Sequence, residues 1–306
     1  MILLSLLYPM RWCVTHLSRW NPLRIGSGMI LRRMIARVPY QATMTTIVPL
    51  DAPDLRLSCS DSMVEDSVFW FGVRGYEGVL YDLWLLLARQ SESILEIGGN
   101  VGFYSLAGAR ANPQARYRVL EPHPHVGSVL RRNLDINGLI HVELIHAAAI
   151  PDRTPHRVYL NVPDEGRSVP VGSHLVDDVK GINRSTKETI ACNGVPILDL
   201  LAGVDLVKID AEGIEYALIA ASFDVLVIQR PVLVVEVLPE ATQLTDVLRA
   251  LAEAAGYRIY VVPGWGSDQL VEVSARKFEP TLLPSLNSKD VILTTKALAW
   301  KSRLYN

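Results

Sequence analysis

Cysteine is scarce in this chain of 306 residues: Cys13, Cys59 and Cys192 stand far apart, with no CxxC and no Cys/His ligand spacing. That argues against a disulfide framework and a structural zinc site, and points to a reducing, cytoplasmic location. A surplus of either charge is missing too. Lys and Arg number 30 against 32 Asp and Glu, a net charge of −2, so no global basic field suggests nucleic acid as a partner. Long apolar runs are absent. The opening stretch of ten residues, MILLSLLYPM, is cut by Pro9 and followed by Arg11, too short to span a bilayer. It also lacks the basic lead and small-residue cleavage site of a signal peptide. Internal repeats and low-complexity tracts are not found. What is abundant is apolar side chain, 49% of residues, with 20% charged and a mean hydropathy of +0.21. Such a chain can bury a sizeable core, as one large α/β domain or two small ones.

The basic residues are unevenly spread. Residues 1–50 hold six arginines and no acid, leaving 24 basic against 32 acidic side chains beyond them. Over residues 11–37 the arginines alternate with Trp12, Leu17, Trp20, Ile30, Leu31, Met34 and Ile35. Two readings stand side by side: a basic amphipathic segment lying on an anionic membrane surface, or a helical arm packed on its own domain or on a second subunit.

Residues 41–75 read as short strands and turns, and residues 76–90 as a helix with Val79, Leu80, Leu83, Leu86 and Leu87 on one side. From Ser93 the chain becomes rhythmic. Apolar runs fall at 94–97, 117–120, 142–145, 206–209, 232–237, 258–262 and 291–294, with helical patterns at 102–111, 126–137, 214–221 and 242–255. Runs that are apolar throughout suit strands covered on both faces, and strand–helix alternation implies a parallel sheet with right-handed crossovers. Ligands of such a sheet bind beyond the carboxyl ends of its strands, where the winding reverses. Residues 151–194 interrupt the rhythm with a strand over 157–162, a Gly/Pro/Ser-rich loop and a charged stretch over 177–188.

The first strand runs into Glu96-Ile-Gly-Gly-Asn-Val-Gly102. Glycines directly after a strand mark a turn where backbone approaches a ligand closely. Dinucleotide binders use a similar turn to seat a pyrophosphate on a helix N-terminus. Here Asn100 replaces a glycine of that pattern, and Glu96 would repel a pyrophosphate while suiting a ligand with an ammonium group. That favours S-adenosylmethionine over a nicotinamide dinucleotide. Glu121 ends the second strand about twenty residues after the turn, where a carboxylate can accept from both ribose hydroxyls.

Taken together, ILEIGGNVGFYSL, LEPHPHVGSVLRRNLDINGL, HAAAI, DLVKIDAEGIEYALI and VLVVEV resemble the FkbM family of S-adenosylmethionine-dependent methyltransferases, in that family's order and across roughly residues 75–240. The resemblance implies a class I methyltransferase (Rossmann-like) fold: six parallel strands with one antiparallel strand near the C-terminus, and helices on both faces. It also implies that Glu96, Gly98, Asn100 and Gly102 line the methionine end of the cofactor, Glu121 its ribose, and His146 with Ala147 its adenine. The family commonly has Asp at position 96, Ala at 99 and Asn at 146. Its members methylate hydroxyl oxygens of sugars, glycans and polyketide-type natural products, so a small-molecule or glycan hydroxyl is the expected substrate. Residues 1–75 then form an arm and accessory segment and 76–306 the catalytic domain, with 41–75 and 151–194 expected as lid and substrate-facing parts.

The segment Lys208-Ile-Asp-Ala-Glu-Gly-Ile-Glu215 follows the fourth apolar run and lacks the Asp/Asn-Pro-Pro-aromatic pattern of amino-group methyltransferases. A carboxylate here can orient an acceptor hydroxyl or take its proton. Asp210 is the first candidate, with burial expected to raise its pKa. Glu236, ending the fifth run, and His174 in the insertion are alternative bases. Asp210 and Glu212 can equally cap the next helix. No metal site is assigned, since Asp210 and Glu212 have no third ligand in view. His123 and His125 read as structural loop residues, and Tyr76 with Glu77 either close over the cofactor or start a helix. A nicotinamide oxidoreductase and a non-catalytic cofactor-binding protein remain as competing readings.

Overall fold

The computed structural model describes residues 44–170, 172–176, 186–238, 241–264, 269–285, 288–298 and 300. The arginine-rich stretch 11–37, Cys13 and residues 177–185 of the charged stretch lie outside the described residues.

The described chain begins with two short antiparallel strands, β1 (Thr46–Ile47) and β2 (Leu57–Ser58), and a helix, α1 (Met63–Phe71). The helix corrects the reading of 41–75 as strands and turns. Ser62 and Glu65 form a capping box: Ser62 Oγ accepts from the Val64 N–H at 3.2 Å, and Glu65 accepts from the Ser62 N–H at 3.3 Å. A 3₁₀ turn at Val73–Gly75 leads to α2 (Leu80–Ala88), which is shorter than the expected 76–90. Gly78 sits at φ +62, outside the helical region, so the helix starts after it.

Strands and helices then alternate through β3 (Ser93–Ile97), α3 (Phe103–Ala111), β4 (Arg116–Leu120), α4 (Pro124–Ile136) and β5 (Glu143–Ile145). The interruption at 151–194 is more ordered than expected. Its strands β7 (His156–Pro163), β8 (His174–Val176) and β9 (Thr186–Pro196) join β6 (Ala148–Ile150), just ahead of it, in a separate sheet of order β6-β9-β7-β8. The main rhythm resumes with α5 (Ile197–Leu200), β10 (Leu206–Ile209), α6 (Glu215–Ala221), α7 (Phe223–Gln229), β11 (Val232–Glu236), α8 (Thr242–Ala255) and β12 (Arg258–Val262). It closes with β13 (Val271–Val273), α9 (Leu282–Ser285) and β14 (Asp290–Thr294).

The main sheet has the order β5-β4-β3-β10-β11-β14-β12-β13. Pairs from β5 to β11 are parallel, while β14 runs antiparallel to both β11 and β12. Six parallel strands and one antiparallel strand give the class I methyltransferase sheet, and β13 adds an antiparallel edge strand that the sequence did not suggest. The winding reverses between β3 and β10, so the crevice lies at their carboxyl ends.

Alternation along the strands splits the core in two. Ile94, Tyr117, Val119, Leu206, Val234 and Ile292 share one cluster with α1 to α4. Leu95, Ile97, Val207, Ile209, Val235 and Leu293 share the other with α5 to α9. Each fully buried Leu, Ile or Val contributes roughly 2 kcal/mol from lost water contact. The accessory segment belongs to the first cluster through Ile47, Leu57, Val64, Val68 and Trp70. Asn133 on α4, wholly buried, stitches it in: its Oδ1 accepts from Ser58 N–H at 2.7 Å and Ser58 Oγ at 2.8 Å, and its Nδ2 donates to Val101 O at 2.8 Å. Among the described residues, no helix is long and apolar enough to cross a membrane.

Candidate active site

At the carboxyl ends of the central strands, the first face changes from apolar to charged. Lys208 stands level with Glu96 on one side and Val234 on the other, and Glu236 pairs in register with Asp290. Residues two apart on a strand share a face, so Glu96, Lys208, Asp210, Glu236 and Asp290 form a row across four neighbouring strands. Glu96, Lys208, Glu236 and Asp290 are all buried.

The row is held by specific partners. Glu96 Oε2 accepts from Ser105 Oγ at 2.6 Å and Tyr117 OH at 2.7 Å. Lys208 Nζ donates to Asp210 Oδ2 at 2.7 Å and lies 4.9 Å above the Tyr104 ring. Lys289, just before β14, reaches Glu236 Oε1 at 2.5 Å and Glu77 Oε1 at 2.9 Å. Glu77 Oε2 in turn accepts from Tyr104 OH at 2.6 Å. Lys208, Lys289, Ser105 and Asp290 were not anticipated. The signal for Lys208 was its place two residues before Asp210, on the same face of a strand too buried for an unpaired cation.

The cleft above this row encloses about 940 Å³, counting the space open to solvent. Its walls include Glu96, Gly98, Asn100, Glu121, Ala147 and Asp210, with Tyr76, Phe103, His123 and Glu212 also facing it. Both expected covering segments supply wall residues: Val64 from α1, and Leu160, Pro170, Ser173 and Leu175 from the insertion. The segments are tied together by Arg167, whose guanidinium lies 2.7 Å from Asp66 Oδ2 and 3.6 Å from Asp61 Oδ1.

Glu121 is fixed by the backbone on both sides. Its Oε2 accepts from the Asn100 N–H at 2.8 Å and its Oε1 from the His123 N–H at 2.9 Å. Each carboxylate oxygen keeps a second lone pair for a ligand hydroxyl. The glycines before it answer first to the protein itself. At Gly98, with φ +85, a Cβ would run into the Asp210 carbonyl oxygen, and at Gly99 one would strike Val119. Both glycines also line the cleft, so the same tight backbone packs against its neighbours and faces the space open to a ligand. Gly102, at φ +86, is the N-cap of α3 and faces Leu130, away from the cleft wall.

Four expected site residues are not on the wall of the main cleft: the cofactor contacts Gly102 and His146, and the alternative bases Glu236 and His174. His146 is exposed and lines a separate cavity with Pro124, Ser128, Arg157 and Cys192, while its neighbour Ala147 is in the cleft wall. His174 is exposed on β8, and alternation turns Ser173 and Leu175 inward in its place. His123 caps α4, its Nδ1 accepting from His125 and Val126 N–H groups. Capping of the turn after β10 falls to Glu215, which accepts from Ala211 N–H at 2.8 Å and Gly213 N–H at 3.0 Å. Asp210 and Glu212 are thereby left to the cleft.

Electrostatics correct one expectation. Burial alone would raise the Asp210 pKa, but the adjacent Lys208 and Lys289 ammonium groups outweigh it and hold the carboxyl below its usual value. Burial pushes Glu96 up to about 7 against the pull of Lys208, and Glu121 up to about 7 against its two backbone hydrogen bonds. Glu236 is driven upward by burial and by Asp210.

The family model for the Methyltransferase FkbM domain matches residues 96–259, more than half of the chain. The chain belongs to the FkbM methyltransferase family. The match opens at Glu96 and takes in the glycine turn, Glu121, the insertion and the carboxylates at 210, 212 and 236. No curated protein matches. Similar solved structures include cofactor-bound Rv0187 from MTB, 21% identical over 71% of this chain and 80% of that one at a TM-score of 0.39. The FkbM methyltransferase of Methylobacillus flagellatus KT is 16% identical over 66% of this chain and 43% of its own, at 0.39. The S-adenosylhomocysteine-bound methyltransferase PaMTH1 of Podospora anserina is 13% identical over 91% and 89%, at 0.41. At such values no residue role carries over from those structures to this FkbM chain.

Proposed function

We propose that this FkbM methyltransferase uses S-adenosylmethionine to methylate a hydroxyl oxygen of an uncharged sugar, glycan or polyketide-type acceptor. The observation that carries the reading is Glu121. It is held by the Asn100 and His123 N–H groups at the carboxyl end of β4, and it faces the same cleft as Glu96 and Asp210. Several groups fit the cofactor's chemistry: carboxylates on the wall suit a sulfonium and an ammonium, and the free lone pairs of Glu121 suit a ribose diol. When bound, the cofactor supplies an electrophilic methyl group.

This chain's own residues supply the rest. Glu121 grips the ribose, and Glu96 faces the ammonium while Ser105 and Tyr117 fix its orientation. Asp210, kept ionised by Lys208, accepts a hydrogen bond from the acceptor hydroxyl, aligns its oxygen and takes its proton as that oxygen bonds to the methyl carbon. Val64, Pro170 and Leu175 exclude water, which favours a reaction that consumes charge separation. The excess of carboxylates repels phosphate and carboxylate acceptors. Against the dinucleotide reading, Glu121 already occupies the Asn100 N–H at the turn where a pyrophosphate would sit.

The test is transfer of an isotope-labelled methyl group from S-adenosylmethionine to a panel of sugars, glycans and polyketides, with products located by mass spectrometry. The expected product is a methyl ether. Asp210→Asn should lower turnover by about a hundredfold or more, with a far smaller change in S-adenosylhomocysteine affinity. Labelling confined to amino groups would overturn the hydroxyl assignment.

A further inference from the structure

We propose that the carboxylates of Asp210, Glu212 and Glu236 form a binding site for one divalent, oxygen-seeking cation, of the Mg²⁺ or Mn²⁺ kind, at the floor of the cleft. Each residue offers a carboxylate oxygen, and the three oxygens lie within 4.8 Å of one another. Three convergent carboxylates match the oxygen preference of such hard cations, which complete their shell with water or substrate oxygens.

A second observation is independent of the clustering. Glu236 is 5% exposed, and its Oε1 is taken by Lys289. Its Oε2 is buried and accepts no hydrogen bond from any donor among the described residues. A buried carboxylate oxygen left unpaired is costly, so a cation or a proton belongs there. Glu236 also lies within hydrogen-bonding reach of Asp210, which puts this acid beside the cluster rather than in an apolar pocket.

The surroundings fit ligation. Glu215 satisfies the N–H groups of the turn after β10, so neither Asp210 nor Glu212 is consumed as a cap. Lys208 holds Asp210 by Oδ2, and Lys289 holds Glu236 by Oε1. Outer partners of this kind orient ligating carboxylates. Glu212 stands at φ +52 in the turn between β10 and α6, on the cleft wall. Six carboxyl groups crowd this end of the sheet (Glu77, Glu96, Asp210, Glu212, Glu236 and Asp290) against two lysines, Lys208 and Lys289. A dication offsets much of that imbalance. Cation binding stands apart from the cofactor assignment, whereas its use, drawing an acceptor hydroxyl into the shell and lowering that hydroxyl's pKa, rests on the methyltransferase reading.

The experiment titrates Mn²⁺ into chelator-treated, full-length protein at pH 8, following free Mn²⁺ by electron paramagnetic resonance, with S-adenosylhomocysteine binding measured on the same samples. One Mn²⁺ should bind per chain and be displaced by Mg²⁺. Glu236→Gln and Glu212→Gln should each weaken it by about tenfold or more. Glu212 is only half-buried, so its variant remains informative if the Glu236 variant fails to fold. Native protein that binds S-adenosylhomocysteine but no Mn²⁺ at millimolar concentration overturns the metal site alone and assigns Glu236 Oε2 a proton shared with Asp210. So does Mn²⁺ binding that both substitutions leave unchanged. Mn²⁺ binding lost in the variants, with no S-adenosylhomocysteine binding, leaves the metal site standing and overturns the cofactor assignment.

Discussion

Replacing Glu121 by Gln keeps the size of the side chain and removes its charge. In the native chain, each oxygen accepts one backbone N–H, from Asn100 at 2.8 Å and from His123 at 2.9 Å. The glutamine oxygen can keep only one of them, and its NH₂ must oppose the other donor. Hydrogen bonds to a charged partner are worth about 1.5–3 kcal/mol, so losing one and facing a donor costs roughly 2–4 kcal/mol of folding stability. For a chain of this size that is a fall in Tm of about 4–8 °C. Cofactor binding loses a charged acceptor for the ribose hydroxyls as well. At about 1.4 kcal/mol per decade, the roughly 1.5–3 kcal/mol of one such hydrogen bond weakens S-adenosylhomocysteine by roughly tenfold to a hundredfold. Differential scanning calorimetry and isothermal titration calorimetry read the two effects separately. A Glu121→Gln protein that is native by circular dichroism and binds within twofold of wild type would remove the ribose role.

Gly98→Ala should be far more damaging than Gly138→Ala, although both glycines have positive φ, +85 and +70. The new Cβ at 98 meets the Asp210 carbonyl, whereas nothing lies near Gly138, so about 1 kcal/mol is expected at 138 and several times that at 98. Equal denaturation midpoints would refute the packing of the two turns. Stability without ligand should also fall as pH rises from about 4.5 to about 7. Over that window native Glu96 and Glu121 retain protons that the unfolded chain has released, so unfolding is favoured by up to about 3 kcal/mol per group. A urea midpoint that is flat or rising across the window would contradict the upward shifts.

Much of the fold was legible because the central strands are apolar on both faces. Leu206–Ile209 and Arg258–Val262 match their expected bounds, and so does the helix Thr242–Ala255. Helix α1 was missed even though Ser62 and Glu65 carry a capping pattern, because its apolar residues Val64, Val68, Phe69, Trp70 and Phe71 do not stand out as a stripe. The long β9, TKETIACNGVP, pairs in a small partly exposed sheet, where the all-apolar signature is absent. At the site, Glu96, Glu121 and Asp210 were readable from their places at strand ends. Glu77 and Lys289 come from the two flanks of the domain and meet the row only through the sheet order, which puts β14 beside β11. Likewise the third carboxylate beside Asp210 and Glu212 was one already weighed as a base, Glu236, and its proximity follows from the parallel pairing of β10 with β11. The two histidines failed for local reasons: alternation on β8 turns His174 outward, and His146 falls under α4 beside Gly127.

The most direct measurement is a calorimetric titration of the full chain with S-adenosylhomocysteine and, separately, with NADH. One S-adenosylhomocysteine per chain, displaced by S-adenosylmethionine and accompanied by a rise in Tm, with no heat from NADH, is the expected result. Saturable NADH binding, or no uptake of the adenosyl compound at millimolar concentration, would contradict a nucleoside seat between the turn after β3 and the Glu121 carboxylate.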